Sequence, residues 1–218
     1  MATRASHGQE LDFTASASGM AVPRSLSEAR EAVQGCERCD LYKFATQAVF
    51  GEGAEHADIM FVGEQPGDQE DLQGHPFVGP AGRVFAAALE EAEIDRERVY
   101  VTNAVKHFKF APRGKKRLHQ RPNAGEIQAC RFWLNLERSF VQPKVIVALG
   151  ATAAQSLLGR SATISRLREA PVTLEDGTRL AVTIHPSFLL RMPDRERAAQ
   201  ERLRFIDDLR AARKLALH

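Results

Sequence analysis

Long apolar stretches are missing from this chain. The longest uninterrupted run is the six residues from Val84 to Leu89, well short of the roughly 20 that a helix needs to cross a bilayer. A membrane-spanning helix is therefore excluded, and no membrane partner is expected. Cysteine is scarce and odd in number, with three in 218 residues. That is a poor basis for a disulfide framework, but it suits a reducing cytosol and leaves ligands for a metal. Neither sign of charge prevails: 30 Lys and Arg stand against 28 Asp and Glu, a net charge of +2, so overall charge does not select a nucleic-acid partner. The first 24 residues carry Ala, Ser, Gly and Thr without an apolar core segment, which argues against a signal peptide. Residues 1–24 read as a flexible tail with no periodic face to bury. Residues 25–218 read as a single domain, since 44% apolar and 27% charged residues are a globular composition.

Short β-branched runs at 59–63, 99–103 and 145–150 have the character of buried parallel strands. A fourth lies at 180–184, paired with 171–174 through the turn Glu175-Asp176-Gly177-Thr178. Between them run helical patterns. Ser25 and Glu28 fit a capping box. Val84, Phe85, Ala88, Leu89 and Ala92 make one apolar face, and Asn123 opens a helix whose inward positions are Ile127, Cys130 and Leu134. Ala199, Leu203, Ile206 and Leu209 line a C-terminal helix. The expected fold is α/β: a three-layer open sheet, mainly parallel and four-stranded, with helices on both faces. Ligands in such sheets sit beyond the carboxyl ends of the strands. The loops after Val62, Val101 and Ile184 are therefore where chemistry is expected.

Three loops answer that description. The first strand runs into Gly63-Glu64-Gln65-Pro66-Gly67-Asp68, followed by Pro76-Phe77-Val78-Gly79-Pro80-Ala81-Gly82; the second ends at Thr102-Asn103; the last leads into His185-Pro186-Ser187. A strand-end Asn offers both a donor and an acceptor, as the edge of a pyrimidine requires. Each loop alone has a plainer reading: a glycine-rich turn with a solvated Glu and a core Phe, a turn-stabilising Asn, a structural His.

Taken together and in this order, over residues 30–212, the motifs resemble those of the iron–sulfur uracil-DNA glycosylases of family 4. The resemblance implies DNA containing uracil as the partner, with the base flipped out of the stack. Phe77 would stack on it, Asn103 would read its Watson–Crick edge, His185 would bond a carbonyl oxygen, and Gln65 and Asp68 would complete the uracil site. It also implies a structural 4Fe–4S cluster. The family has four cysteine ligands, whereas this chain has Cys36, Cys39 and Cys130, with His107 where the fourth ligand would fall. Imidazole is an accepted iron–sulfur ligand, and a zinc site with three Cys and one His is the alternative from spacing.

A second departure is an insertion between His107 and Cys130. From Lys106 to Arg121 there are seven Lys or Arg and no acidic residue, so an exposed phosphate-contacting loop is the plain reading, with Lys115, Lys116 and Arg117 as the DNA contacts. Lys-Lys-Arg-Leu-His is also similar to the loop of the X-type branch, whose histidine bonds covalently to DNA. Gln65 and His107 match that branch as well. The resemblance thus implies His119 as nucleophile at C1′ and Glu64 as the carboxylate that supports the sugar cation and the imidazole. Single-stranded DNA is the expected preferred substrate, because it avoids the unpairing cost. A monomer in the cytoplasm, associated with the nucleoid through DNA, is expected. Two other readings stay open: a conventional multiple-turnover uracil-DNA glycosylase, and a non-catalytic iron–sulfur protein that binds uracil-containing DNA.

Overall fold

A computed structural model describes residues 21–160 and 163–217; of the expected tail, all but residues 21–24 lies outside them. The chain runs α1 (Leu26–Ala32), β1 (Glu52–Gly53), β2 (Ile59–Gly63), α2 (Asp68–Gln73), α3 (Pro80–Glu91), β3 (Tyr100–Asn103), β4 (Phe110–Arg113), β5 (Lys116–His119), α4 (Ala124–Val141), β6 (Val145–Leu149), α5 (Ala151–Leu158), α6 (Ile164–Arg168), β7 (Val172–Thr173), β8 (Arg179–Thr183), α7 (Ser187–Arg191) and α8 (Arg195–Ala216). One sheet takes the order β1-β3-β2-β6-β8-β7. Its inner four strands are parallel, and the two short outer strands are antiparallel. The parallel core is the expected one; the edge strand β1 has only two residues and gave no sequence signal.

Every residue of β2, β3 and β6 is buried, because side chains alternate between two covered faces. Met60, Val62, Ile146 and Ala148 face the core built with α1, α4 and α5. Ile59, Phe61, Val101 and Val147 face the core built with α3 and α8. Among the described residues no helix is long and apolar enough to cross a membrane.

Local signals behave largely as the residue chemistry dictates. Asn123 accepts the Glu126 N–H at 2.9 Å and Glu126 takes the Asn123 N–H at 2.7 Å, a complete capping box. At α1, Ser25 accepts the Glu28 N–H, but the Glu28 carboxylate reaches Arg24 N–H instead of Ser25. The face expected for α8 needs correction: Leu203 is 60% exposed and Ala199 is exposed, while Phe205, Ile206, Leu209 and Ala212 are buried. Ile206 and Leu209 stay in the buried stripe, which Phe205 and Ala212 continue in place of Ala199 and Leu203.

Between β3 and α4 the sequence suggested a basic loop. The structure folds it into an antiparallel hairpin, with Phe110 opposite His119 and Arg113 opposite Lys116. Gly114, at φ +59°, takes the first place of the two-residue turn, where a positive φ is required.

Candidate active site

The four parallel strands end side by side. Gly63 pairs in register with Asn103, and Gly150 N–H donates to the Thr183 carbonyl at 2.9 Å. Their carboxyl ends open into one cleft of about 1050 Å³, whose walls include Glu64, Phe77, Asn103, His119 and His185. Residues from five separate segments thus meet at the place the topology predicts for a ligand.

Small residues make the room. A Cβ on Gly63 would come within 2.2 Å of Asn103 Oδ1 and 2.9 Å of the Phe77 ring. Phe77 adopts φ +60°, a conformation disfavoured for a bulky residue. Two features hold it there. A Cβ on Gly82 would overlap the Phe77 carbonyl, so only glycine allows α3 to start so close. The buried carboxylate of Glu70 accepts Phe77 N–H and Gly67 N–H, each at 2.8 Å. Burial pushes the Glu70 carboxyl up, against those two bonds. Glu70 escaped the sequence reading because an acidic residue in a first helical turn is ordinarily a solvated one.

Asn103 is buried, and its Nδ2 has no hydrogen-bond partner among the described residues. Leaving a buried donor unsatisfied costs about 1–3 kcal/mol, and such a group at a cleft wall is one that a ligand can complete. Behind it, Lys106 Nζ donates to the Asn103 carbonyl and Thr102 Oγ1, both at 2.7 Å, and to Glu137 Oε2 at 2.6 Å. Both charged side chains are wholly inaccessible. This buried pair, also missed in the sequence, fixes the strand end that carries Asn103.

His185 accepts the Ser187 N–H on Nδ1 at 3.2 Å. Burial lowers its pKa to about 4, Glu64 opposes this, and Arg191 and His119 add to it. The ring is therefore neutral at pH 7, with Nε2 as its donor.

Glu64 Oε1 stands 3.3 Å from His119 Nε2, and its other oxygen accepts the Thr152 hydroxyl. Burial pushes the carboxyl up, but the bonds from His119 and Thr152 and the nearby imidazoles outweigh it and hold it below the ordinary value. His119 is half exposed, so its ring is accessible from the cleft.

Three expected contacts fall elsewhere. Gln65 lines the cleft, but its carboxamide is engaged by the hairpin: Nε2 donates to the Lys109 and Gln120 carbonyls, and Oε1 accepts Lys109 N–H. Both Nε2 hydrogens are thus spent on the base of the hairpin. Asp68 lies outside the cleft and accepts from Arg117 Nε at 2.6 Å. Arg117 is correspondingly not free for DNA: it also donates to buried Asp71 at 2.6 Å and lies over the Phe108 and Phe110 rings. The buried Asp71 carboxylate and the exposed Asp68 carboxylate neutralise its charge. Lys115 and Lys116 remain exposed near the hairpin turn.

Cys36, Cys39 and Cys130 lie on the α1/α4 side of the sheet. Trp133 Nε1 donates to Cys36 Sγ at 3.0 Å, and Lys106 N–H to Cys130 Sγ at 3.2 Å. Burial raises the Cys39 thiol and pushes Cys130 up to about 12, with Lys106 opposing. His107 is buried next to Lys106. Among the described residues no three His, Cys, Asp or Glu side chains stand close enough to hold a single ion. A polynuclear cluster spans more space than one ion, and buried thiols that accept N–H bonds are a donor set suited to it.

Residues 50–210 match the uracil DNA glycosylase superfamily. The chain is 39% identical over 162 residues to the Type-4 uracil-DNA glycosylase of Thermotoga maritima, covering 74% of this chain and 81% of that one. It is 32% identical over 193 residues to the Type-4 enzyme of Sulfurisphaera tokodaii, covering 85% and 84%. Similarity extends to the Type-5 uracil-DNA glycosylase of Pyrobaculum aerophilum, at 29% over 183 residues and 77% of each.

Proposed function

Because the chain belongs to the uracil-DNA glycosylase superfamily, we propose that it excises uracil from DNA and then captures the deoxyribose through His119. In this reading the base enters the cleft against Phe77, Asn103 completes its bonds on the base edge, and His185 Nε2–H donates to a carbonyl oxygen. The bond from C1′ to uracil breaks with its electron pair leaving on the base, and these donors stabilise the anion as it develops. The ionised Glu64 supports the cationic sugar. The lone pair of the His119 imidazole forms the new bond to C1′, the proton on its other nitrogen passes to Glu64 and on to water, and the uracil anion is protonated from solvent. A neutral N-alkylated imidazole is a poor leaving group, so the adduct persists and the protein acts once.

The observation that carries this reading is the position of His119 3.3 Å from Glu64, in the same cleft as Phe77, Asn103 and His185. Single-stranded DNA is the preferred substrate in this reading, since it has no pair to open. The test is a labelled single-stranded oligonucleotide with one uracil, boiled in detergent after incubation and run on a denaturing gel. A retarded, heat-stable band that vanishes with thymine and with His119→Ala supports capture. Free uracil without that band makes the chain a turnover glycosylase with water as nucleophile.

We further propose that Cys36, Cys39, His107 and Cys130 hold a 4Fe–4S cluster. It would staple the segment before β1 to α4 and take no part in the bond changes. Iron and sulfide content of the purified chain, lost in Cys130→Ser, tests it.

A further inference from the structure

Thr152 belongs to none of the loops that the sequence pointed to, yet it touches the reacting carboxylate. It is the second residue of α5, and its side chain is buried. A threonine there ordinarily serves the helix start. This one turns away and gives its hydroxyl hydrogen to Glu64 Oε2. The direction of that bond is fixed from outside: Arg121 Nε donates to the same Thr152 oxygen at 3.2 Å, which leaves the hydroxyl hydrogen for Glu64. Arg121 follows β5 by two residues, so the segment that brings His119 to one carboxylate oxygen also orients the donor on the other. The turn before α5 fits closely: Gly150 has φ +96°, and a Cβ there would lie 3.3 Å from the His185 Cβ.

We propose that Thr152, oriented by Arg121, is a positioning residue that holds the Glu64 carboxylate with one oxygen turned to His119. It rests on the reading of Glu64 and His119 given above. A carboxylate on a flexible side chain otherwise rotates freely about its last bonds, and a misplacement of about 1 Å costs of the order of 100-fold in rate. Thr152 also tunes the group, since its hydrogen bond favours the ionised form. The other groups facing Glu64 are the His119 and His185 imidazoles, with Arg121 acting through Thr152.

The test is single-turnover kinetics on a uracil oligonucleotide, scoring uracil release and adduct separately, for the full chain and two variants. Thr152→Val keeps the shape and removes the hydroxyl; Thr152→Ser keeps the hydroxyl. The valine variant is expected to slow the first turnover about tenfold or more with substrate affinity unchanged, and its acid limb is expected to move to higher pH. The serine variant is expected to retain the wild-type rate and pH profile. A valine variant with wild-type rate and pH profile, or a serine variant as slow as valine, overturns the proposal while leaving the wild-type reaction standing. A wild-type chain that releases no uracil overturns both this and the function it rests on. Uracil release without an adduct removes only the capture step, and the Thr152 comparison is then read in the release rate.

Discussion

Arg117 on β5 donates to Asp71 on α2 at 2.6 Å, and Asp71 is fully buried. Asp71 also accepts Thr46 N–H at 3.0 Å. This contact, together with Asp68 and the two phenylalanine rings, docks the hairpin on the body of the protein. An arginine in a basic stretch is thus a bolt for the strand that carries His119.

Removing that bolt strands a buried carboxylate. Arg117→Ala is expected to cost about 2 kcal/mol, which for a domain of this size is a fall in Tm of roughly 6 °C. Capture is expected to fall more steeply than uracil excision, because Phe77, Asn103 and His185 are not on the hairpin. Thermal melts and the ratio of adduct to free uracil measure both. A variant with wild-type Tm and ratio would show that the hairpin is held without Arg117.

Gln65 supplies the second attachment, three hydrogen bonds to Lys109 and Gln120, the residues that flank the two strands at the hairpin base. Gln65→Glu removes the Nε2 donor and sets a carboxylate against two carbonyls. Its expected signature is a lower yield of adduct per uracil released. An unchanged yield, combined with weakened uracil binding, would return Gln65 to the base site.

The parallel strands were legible because each is a short β-branched run covered on both faces, and their ends located Glu64, Asn103 and His185 at once. What the residues could not disclose was which polar groups are already spent. Gln65 and Arg117 have free-looking side chains in the sequence, and only the hairpin's backbone carbonyls and the buried Asp71 take them out of circulation. Glu70, Lys106, Glu137 and Thr152 were invisible for the converse reason: each has a partner that lies 7 to 88 positions away, beyond any local pattern. The hairpin itself was hidden by Pro112 and by strands of four residues each.

In the proposed reading Asn103 trades stability for recognition. Its Nδ2 is buried without a partner among the described residues, so Asn103→Ala removes an unsatisfied donor along with the side chain's packing. The two effects oppose each other, and Tm is expected to hold or rise slightly. Uracil excision is expected to fall by about 100-fold or more, the usual loss of a donor that acts on a developing anion. A large fall in Tm would mean that the amide is satisfied within the fold and is not reserved for a base.

Through two groups of the cleft, His185 and Glu64, the fold loses stability as acid is added. His185 titrates near 4 in the folded chain against an ordinary 6.5, chiefly because it is buried. The unfolded chain therefore takes up a proton that the folded chain refuses, and stability is lost as pH falls from 6.5 towards 4 and levels off below it. Glu64 is held below its ordinary 4.5, so its contribution is present above 4.5 and is lost as pH falls further. Uracil excision is expected to hold from pH 7 to 5, with no ionisation of His185 in that interval, and to decline as pH passes 4. The check is Tm against pH for the wild type and His185→Gln. The variant is expected to lose part of the slope between pH 6.5 and 4 while keeping the fall below 4.5. An unaltered slope in that window would mean that His185 carries its proton in the folded state, and the neutral-donor role would go with it.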